Sequence, residues 1–323
     1  MNKSVKIHRL LFTVLALYLT FLLLRYPARS LEYASTGLRL WLAKMVPTLL
    51  PFMILSGIMI RMNLTGSFVR LLHPLLHRIF GTSPNGSYTI IMGFLCGFPM
   101  GARIVGELYE AGGLSRRESM TLLAFCNNIG PIYFLSYVVP VLAIDRPLMP
   151  FLMMYGIPLI YGFILFHIPQ FTGRFLQPCS DAESAAVKSS AVLKACANST
   201  DMPMSFPAAL DSAVLSGLIG IARLGGYMVF FNLLNIMFIP FHHVSRDLLN
   251  LYQCILEITS GINNAGKSFF YPILILLPFG GFSCIAQTYS MISRTDLSLR
   301  PYICHKLIQT AITAVCYLVI CIL

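Results

Sequence analysis

Charge is scarce in this sequence. Of 323 residues, 23 are lysine or arginine and 12 are aspartate or glutamate, 11% in all. A soluble domain carries about 25% charged residues, so these few cannot cover a water-facing surface of this size. The nine cysteines form no C-x-x-C pair and sit mostly inside apolar runs, where they act as small hydrophobes rather than metal ligands. Enzyme signatures are missing as well. There is no nucleophile elbow and no H-E-x-x-H helix. The segment "NAGKS" at Asn264–Ser268 ends like a phosphate loop but lacks its first glycine and its strand. Nothing here points to catalysis, and no metal or cofactor is expected. His73 and His77 stand four apart, but Pro74 lies between them and no further ligand is near.

What is present is apolar. The chain is 57% hydrophobic with a mean hydropathy of +0.75. A bilayer crossing takes about 17–25 apolar residues. Such runs lie near 10–24, 45–60, 86–105, 119–144, 149–168, 212–240, 268–291 and 308–323. The expected fold is all-α: a polytopic membrane protein of about eight transmembrane helices, some broken or re-entrant, in two related halves. The first run follows Lys3, Lys6 and Arg9, and "RYPAR" after it offers no small-residue cleavage site, so it reads as a retained anchor. The net charge of +11 is scattered among apolar runs. That pattern suits a membrane surface and argues against nucleic acid. The bilayer is therefore one partner, and a homo-oligomer is left open.

Four regions follow from composition: an N-terminal anchor over 1–30, a first membrane half over 31–170, a polar linker over 171–206 and a second membrane half over 207–323. A short helix is expected in the linker near Ala182–Ala197. The halves look alike. Each has a Gly/Asn-rich turn, an apolar run, Gly-Phe (Gly97-Phe98, Gly281-Phe282) and then Leu-Ser opening a further helix (Leu114-Ser115, Leu297-Ser298). Transporters are commonly built from such paired repeats, with solute held where interrupted helices meet.

The breaks carry the chemistry. In hydrocarbon an unpaired backbone group costs several kcal/mol, so a break survives only where protein or a watery hollow satisfies it. The stretch "GFLCGFPMGARIVGELYEAGG" places Gly97, Phe98, Pro99, Gly101 and Arg103 within one apolar run. Arg103 and Glu107 share a helix face. They read as a gate pair, as an anion contact through Arg103, or as residues at the membrane edge. A second break, "FCNNIGPIYF", sets Asn127 and Asn128 beside Gly130 and Pro131. Amides there suit a polar ligand, or hold helices together. A third, "LEITSGINNAG", has Glu257 and Asn263. Glu257 is a candidate to carry a coupling proton or cation, or else sits at the interface. A fourth, "PFGGFSCIAQTYS", has Gly281, Ser283 and Gln287. These residues are the candidate solute-binding set.

The segments "GFLCGFPMGARIVGELYEAGGLSRRESMTLLAFCNNIGP", "LEITSG" and "GGFSCIAQ" resemble the sporulation integral membrane proteins of the nucleoside-recognition, or Gate, domain family. The likeness runs from about residue 30 to residue 310. Gate proteins are related to concentrative nucleoside transporters and spore maturation proteins. The nearest group resembles the stage V sporulation proteins that move dipicolinic acid. The resemblance implies transport of dipicolinate, a small dicarboxylate, across the outer forespore membrane. Its motif falls on Gly97, Phe98, Pro99, Gly101, Ala102, Asn128, Gly130 and Pro131. Arg103 keeps a positive charge where relatives carry lysine, and Asn127 departs from an expected small residue. A dianionic pyridine dicarboxylate needs cations, N–H donors and an aromatic to stack on. Arg103, Asn127, Asn128, helix N-termini and Phe98 or Tyr133 are the candidates. The alternatives are a nucleoside or other polar solute, and a membrane scaffold that transports nothing.

Overall fold

The computed structural model describes the backbone of residues 3–168, 205–240 and 245–322. The linker up to residue 204, with its expected helix, lies outside the described residues. Among the described residues every regular element is helical. Helix α1 (Lys3–Arg25) is followed by α2 (Pro27–Leu40), which runs through a π-turn at Trp41–Met45 into α3 (Val46–Arg61). Two short helices come next, α4 (Thr65–Val69) and α5 (His73–Phe80). Then come α6 (Pro84–Cys96), α7 (Met100–Glu110) and α8 (Arg116–Cys126). Helix α9 (Pro131–Tyr133) passes through a second π-turn, Phe134–Val138, into α10 (Val139–Leu142), and α11 (Leu148–His167) closes the first half. The second half holds α12 (Phe206–Leu233), α13 (Arg246–Leu256), α14 (Ile258–Ala265), α15 (Phe270–Leu276), α16 (Gly281–Ile292) and α17 (Leu299–Ile322).

Five helical stretches among the described residues are long and apolar enough to cross a bilayer: Pro27–Arg61, Arg116–Leu142, Leu148–His167, Phe206–Phe238 and Leu299–Ile320. A sixth arises if Ile258–Leu276 and Gly281–Ile292, bent by 43°, act as one broken span. Two of the eight expected runs take other forms. Residues 10–24 lie in α1, a 23-residue rod with Leu10, Leu11, Phe12, Leu17 and Leu24 turned outward. Residues 86–105 divide between α6 and α7, of 13 and 11 residues. At 1.5 Å per residue neither reaches across a hydrocarbon core of about 30 Å.

Lipid tails are as apolar as leucine, so helices in a bilayer associate through close packing and small residues. Helices α2 and α3 lie along α12 in that way. A Cβ on Gly37 would stand 3.0 Å from the Met228 carbonyl, and one on Gly57 3.1 Å from the Ala213 methyl. Trp41 fixes the register by donating its indole N–H to the Ile221 carbonyl at 2.9 Å. In the same way α7 lies on α16, where a Cβ on Gly106 would stand 2.9 Å from the Met291 carbonyl.

The closest approach is between the first two breaks. The corner from α6 to α7 comprises Gly97, Phe98 and Pro99, with a cis Phe98–Pro99 peptide and Gly97 at φ +82°. It crosses the break that follows α8. Gly93 and Gly101 both face the Cys126 carbonyl, and Gly97 faces the backbone nitrogen of Gly130, so closely that a Cβ at any of the three would overlap it. Backbone lies on backbone, and only glycine permits it.

The glycine contacts set a contrast in stability. Gly101→Val forces a side chain into the Cys126 carbonyl, and overpacking of this kind costs about 1–3 kcal/mol. The variant is expected to melt well below wild type in detergent. Gly156→Ala, where nothing lies within 4 Å of the new methyl, is expected to melt with wild type. Thermal unfolding followed by circular dichroism checks both.

Candidate functional site

A helix that stops inside the membrane leaves its last carbonyls without partners. The end of α8 shows how this chain satisfies them. Gln309, on α17, donates its amide to the Ala124 carbonyl at 2.9 Å. Asn128 donates its own to the Phe125 carbonyl. Tyr155, on α11, donates its hydroxyl to the Ile129 carbonyl at 2.9 Å. The start of α7 is served too, since Asn127 Oδ1 accepts from the Ala102 N–H at 3.3 Å. The Asn127 amide then donates to Thr288 Oγ1 at 2.8 Å and to the Tyr302 hydroxyl at 3.1 Å. Asn127 thereby ties the first break to α16 and α17.

Lys306 lies at the centre of this network. It is fully buried, 0% exposed. Its ammonium donates to Asn128 Oδ1 at 2.7 Å and to Gln309 Oε1 at 3.2 Å. It also lies over the rings of Phe98 and Tyr302, at 5.3 and 5.9 Å from their centroids. Cation–π attraction of this kind strengthens when water is excluded. Among the described residues no carboxylate pairs with it. Lys306 was not among the residues expected from the sequence, because it precedes the last apolar run and stands beside other polar residues, His305 and Gln309. An ionisable group inside a membrane helix is a functional hypothesis by default.

Glu257, 2% exposed, sits at the third break. Its carboxylate accepts from the Thr259 N–H at 3.1 Å, the Ser260 N–H at 2.7 Å and the Ser260 hydroxyl at 2.6 Å. It therefore caps α14, where the N-terminal dipole also favours negative charge.

The breaks enclose a narrow hollow with a free volume of about 50 Å³. Phe98, Gly130, Tyr133, Glu257, Thr259 and Gln287 lie on its wall, with apolar residues of α3 and α12 opposite. A water needs about 10–15 Å³ of such space, so the hollow suits a few waters in this closed arrangement. Phe98 links the first break to the fourth: a Cβ on Gly280 would meet its ring edge at 3.1 Å.

The candidate residues thus separate. Phe98, Gly130, Glu257 and Gln287 line the hollow. Ser283 stands behind Gln287 and accepts its amide at 3.0 Å. Gly97, Pro99 and Gly101 are buried in the corner, Pro131 opens α9, and Gly281, at φ +84°, packs on the last carbonyls of α13. Asn127 and Asn128 are buried just behind the wall, with their amides engaged by protein. Asn263 is exposed and bonds to Asn264, away from the hollow. Arg103 lies elsewhere, on the wall of a second hollow.

The lysine network predicts a thermodynamic signature. Asn128→Leu leaves the ammonium with Gln309 as its one hydrogen-bond acceptor, and an undersatisfied buried charge costs about 1–3 kcal/mol or more. Lys306→Met in addition removes that charge. The double variant is expected to melt above Asn128→Leu alone, and a double-mutant cycle of thermal unfolding measures the coupling.

Comparison with known proteins agrees with this architecture. The family described as Gate, nucleoside recognition, matches residues 42–175, which contain the first two breaks. The chain is 26% identical to the sporulation integral membrane protein YlbJ of Bacillus subtilis (strain 168) over 341 aligned residues, taking in 98% of this chain and 83% of that relative. No solved structure matches. The helices are those of an integral membrane protein, and the match over residues 42–175, with a likeness to that relative running nearly end to end, makes the chain similar to proteins with the Gate, nucleoside-recognition, domain.

Proposed function

We propose that the protein moves a small polar solute through the centre of its membrane domain during endospore formation, and that the solute is dipicolinate. One observation carries the reading: Lys306 is fully buried, without a carboxylate partner among the described residues, and its amino group is held by Asn128 and Gln309 over the Phe98 ring. A cation kept in so dry a place is costly unless something answers it. An aromatic dianion answers it twice, with a carboxylate for the ammonium and a ring for Phe98.

The geometry suggests how. Phe98 belongs to both the hollow's wall and the lysine's surroundings. Its rotation joins the two and brings a solute carboxylate to Lys306. The hinge is the glycine-rich corner on which Phe98 rides. Glu257 caps its own helix and remains the candidate for a coupling proton or cation. Gln287 and the helix ends supply neutral polar contacts. The organisation into two related halves, and a place in the outer forespore membrane, belong to the same proposal. Support for the sporulation setting comes from the relative, itself named a sporulation integral membrane protein.

A nucleoside is the second reading, favoured by a specific feature: the hollow's wall combines aromatic rings (Phe98, Tyr133) with an amide (Gln287), a set that also suits a base.

Reconstituted vesicles separate these. Labelled dipicolinate is expected to enter saturably. Lys306→Met is expected to lower that uptake about tenfold or more, as loss of a charge-assisted contact does. Equal uptake by Lys306→Met overturns the role given to that residue. Saturable uptake of uridine without dipicolinate establishes the nucleoside reading. Uptake of neither, by protein that melts cooperatively, overturns transport and leaves a scaffold.

A further inference from the structure

A second hollow, of about 250 Å³, opens between α7, α12 and α16. Arg103, 5% exposed and carried on α7, lines it, and Arg61, from the last turn of α3 and not itself on the wall, reaches the lining residue Ser216. Arg61 donates through Nε to Ser212 Oγ at 3.0 Å and through Nη2 to Ser216 Oγ at 3.1 Å. Arg103 donates through Nη2 to the same Ser216 Oγ, also at 3.1 Å. Ser216 gives its own hydrogen to the Ala213 carbonyl at 3.1 Å. Both of its lone pairs therefore serve guanidinium groups, and two like charges are pinned on one oxygen.

The compensation is incomplete. Arg103 Nε pairs with Glu107 at 2.8 Å, and that carboxylate is one-quarter exposed. Among the described residues Arg61 has no acidic partner; its third bond goes to the Gly57 carbonyl at 3.0 Å. Arg103 Nη1 is buried and has no hydrogen-bond partner at all. It rests against Gly220 on the wall of the hollow, where a Cβ would stand 3.1 Å away. Arg223 and Arg294 line the same space, with Glu110 as the other acid. A buried donor without an acceptor costs about 1–3 kcal/mol, more when charged. Planar guanidinium groups match a carboxylate or phosphate in two-point fashion.

We propose that Arg103, held beside Arg61 by their shared contact with Ser216, forms an oxyanion-binding site, separate from the central hollow, that takes one carboxylate of a small dianion or the equivalent phosphate of a lipid headgroup. For a dianion, the site is a docking point on the way to Lys306, and in that respect it rests on the transport reading. Binding measured without a gradient keeps the two apart.

The test uses the full chain in phosphatidylcholine nanodiscs, titrated with dipicolinate and with inorganic phosphate by calorimetry. Saturable binding is expected, weakened about tenfold or more in Arg103→Gln and Arg61→Gln. Binding and vesicle uptake are read separately on wild type, so that loss of uptake with binding intact counts against the transport reading alone. Arg103→Lys keeps the charge but loses the unpartnered Nη1 and is expected to weaken binding in the same direction, which guards against a variant that fails to fold. A parallel series in nanodiscs containing phosphatidylglycerol reads the lipid source. Stabilisation by that lipid, lost in Arg103→Gln, with no binding of the free anions, upholds the site and assigns it to a headgroup. No anion or anionic-lipid effect in wild type, or an unchanged effect in Arg103→Gln, overturns the proposal.

Discussion

The structure depends on one crossing. Two helices that stop inside the membrane meet at their stopping points, with Gly97 against Gly130 and with Gly93 and Gly101 against the Cys126 carbonyl. Backbone contact that close concentrates unsatisfied N–H and C=O groups in one place. The surrounding helices must supply their partners, because lipid supplies none. Gln309, Tyr155, Asn127 and Asn128 are those partners. The polar interior of the protein is in large part the answer to its own broken backbone.

Charge enters on top of that answer. Asn128 completes the α8 terminus with its amide and has its carbonyl oxygen left to hold Lys306. Glu257 caps α14 and also lines the hollow. In each case a group that closes a helix end also presents charge or polarity to a central space. A site built in this way is rigid, since moving the charged group uncaps a helix. Phe98 differs. Its ring lies against Gly280, Lys306 and the hollow and closes no helix end.

The arginine pair follows another logic. Arg61 and Arg103 reach Ser216 from separate helices, and their placement depends on the small residues Gly57, Ala213 and Gly220 that let α3, α7 and α12 approach. Their charges are not required by any helix end.

The sequence by itself determined the membrane class, the helical fold and the positions of the breaks. Scarce charge, long apolar runs and Gly-Pro or Gly-Gly interruptions are local properties, and backbone hydrogen bonding in lipid translates them directly into helices and corners. Gly97–Pro99, Asn127–Pro131, Glu257 and Gly280–Gly281 are all such corners in the structure. Lys306 is different: it sits on an unbroken helix beside His305 and Gln309, so no local interruption marks it. Only the tertiary structure decided which polar groups meet. It set Asn127 and Asn128 behind the wall of the hollow rather than on it, moved Arg103 to a second hollow beside Arg61, and left Asn263 outside. The physical reason is range. A helix break is written within a few consecutive residues, whereas the partner of Asn128 lies 178 residues away and that of Arg103 lies 113 away. Such pairings are fixed by how glycine-lined helices pack, which no local stretch of sequence encodes.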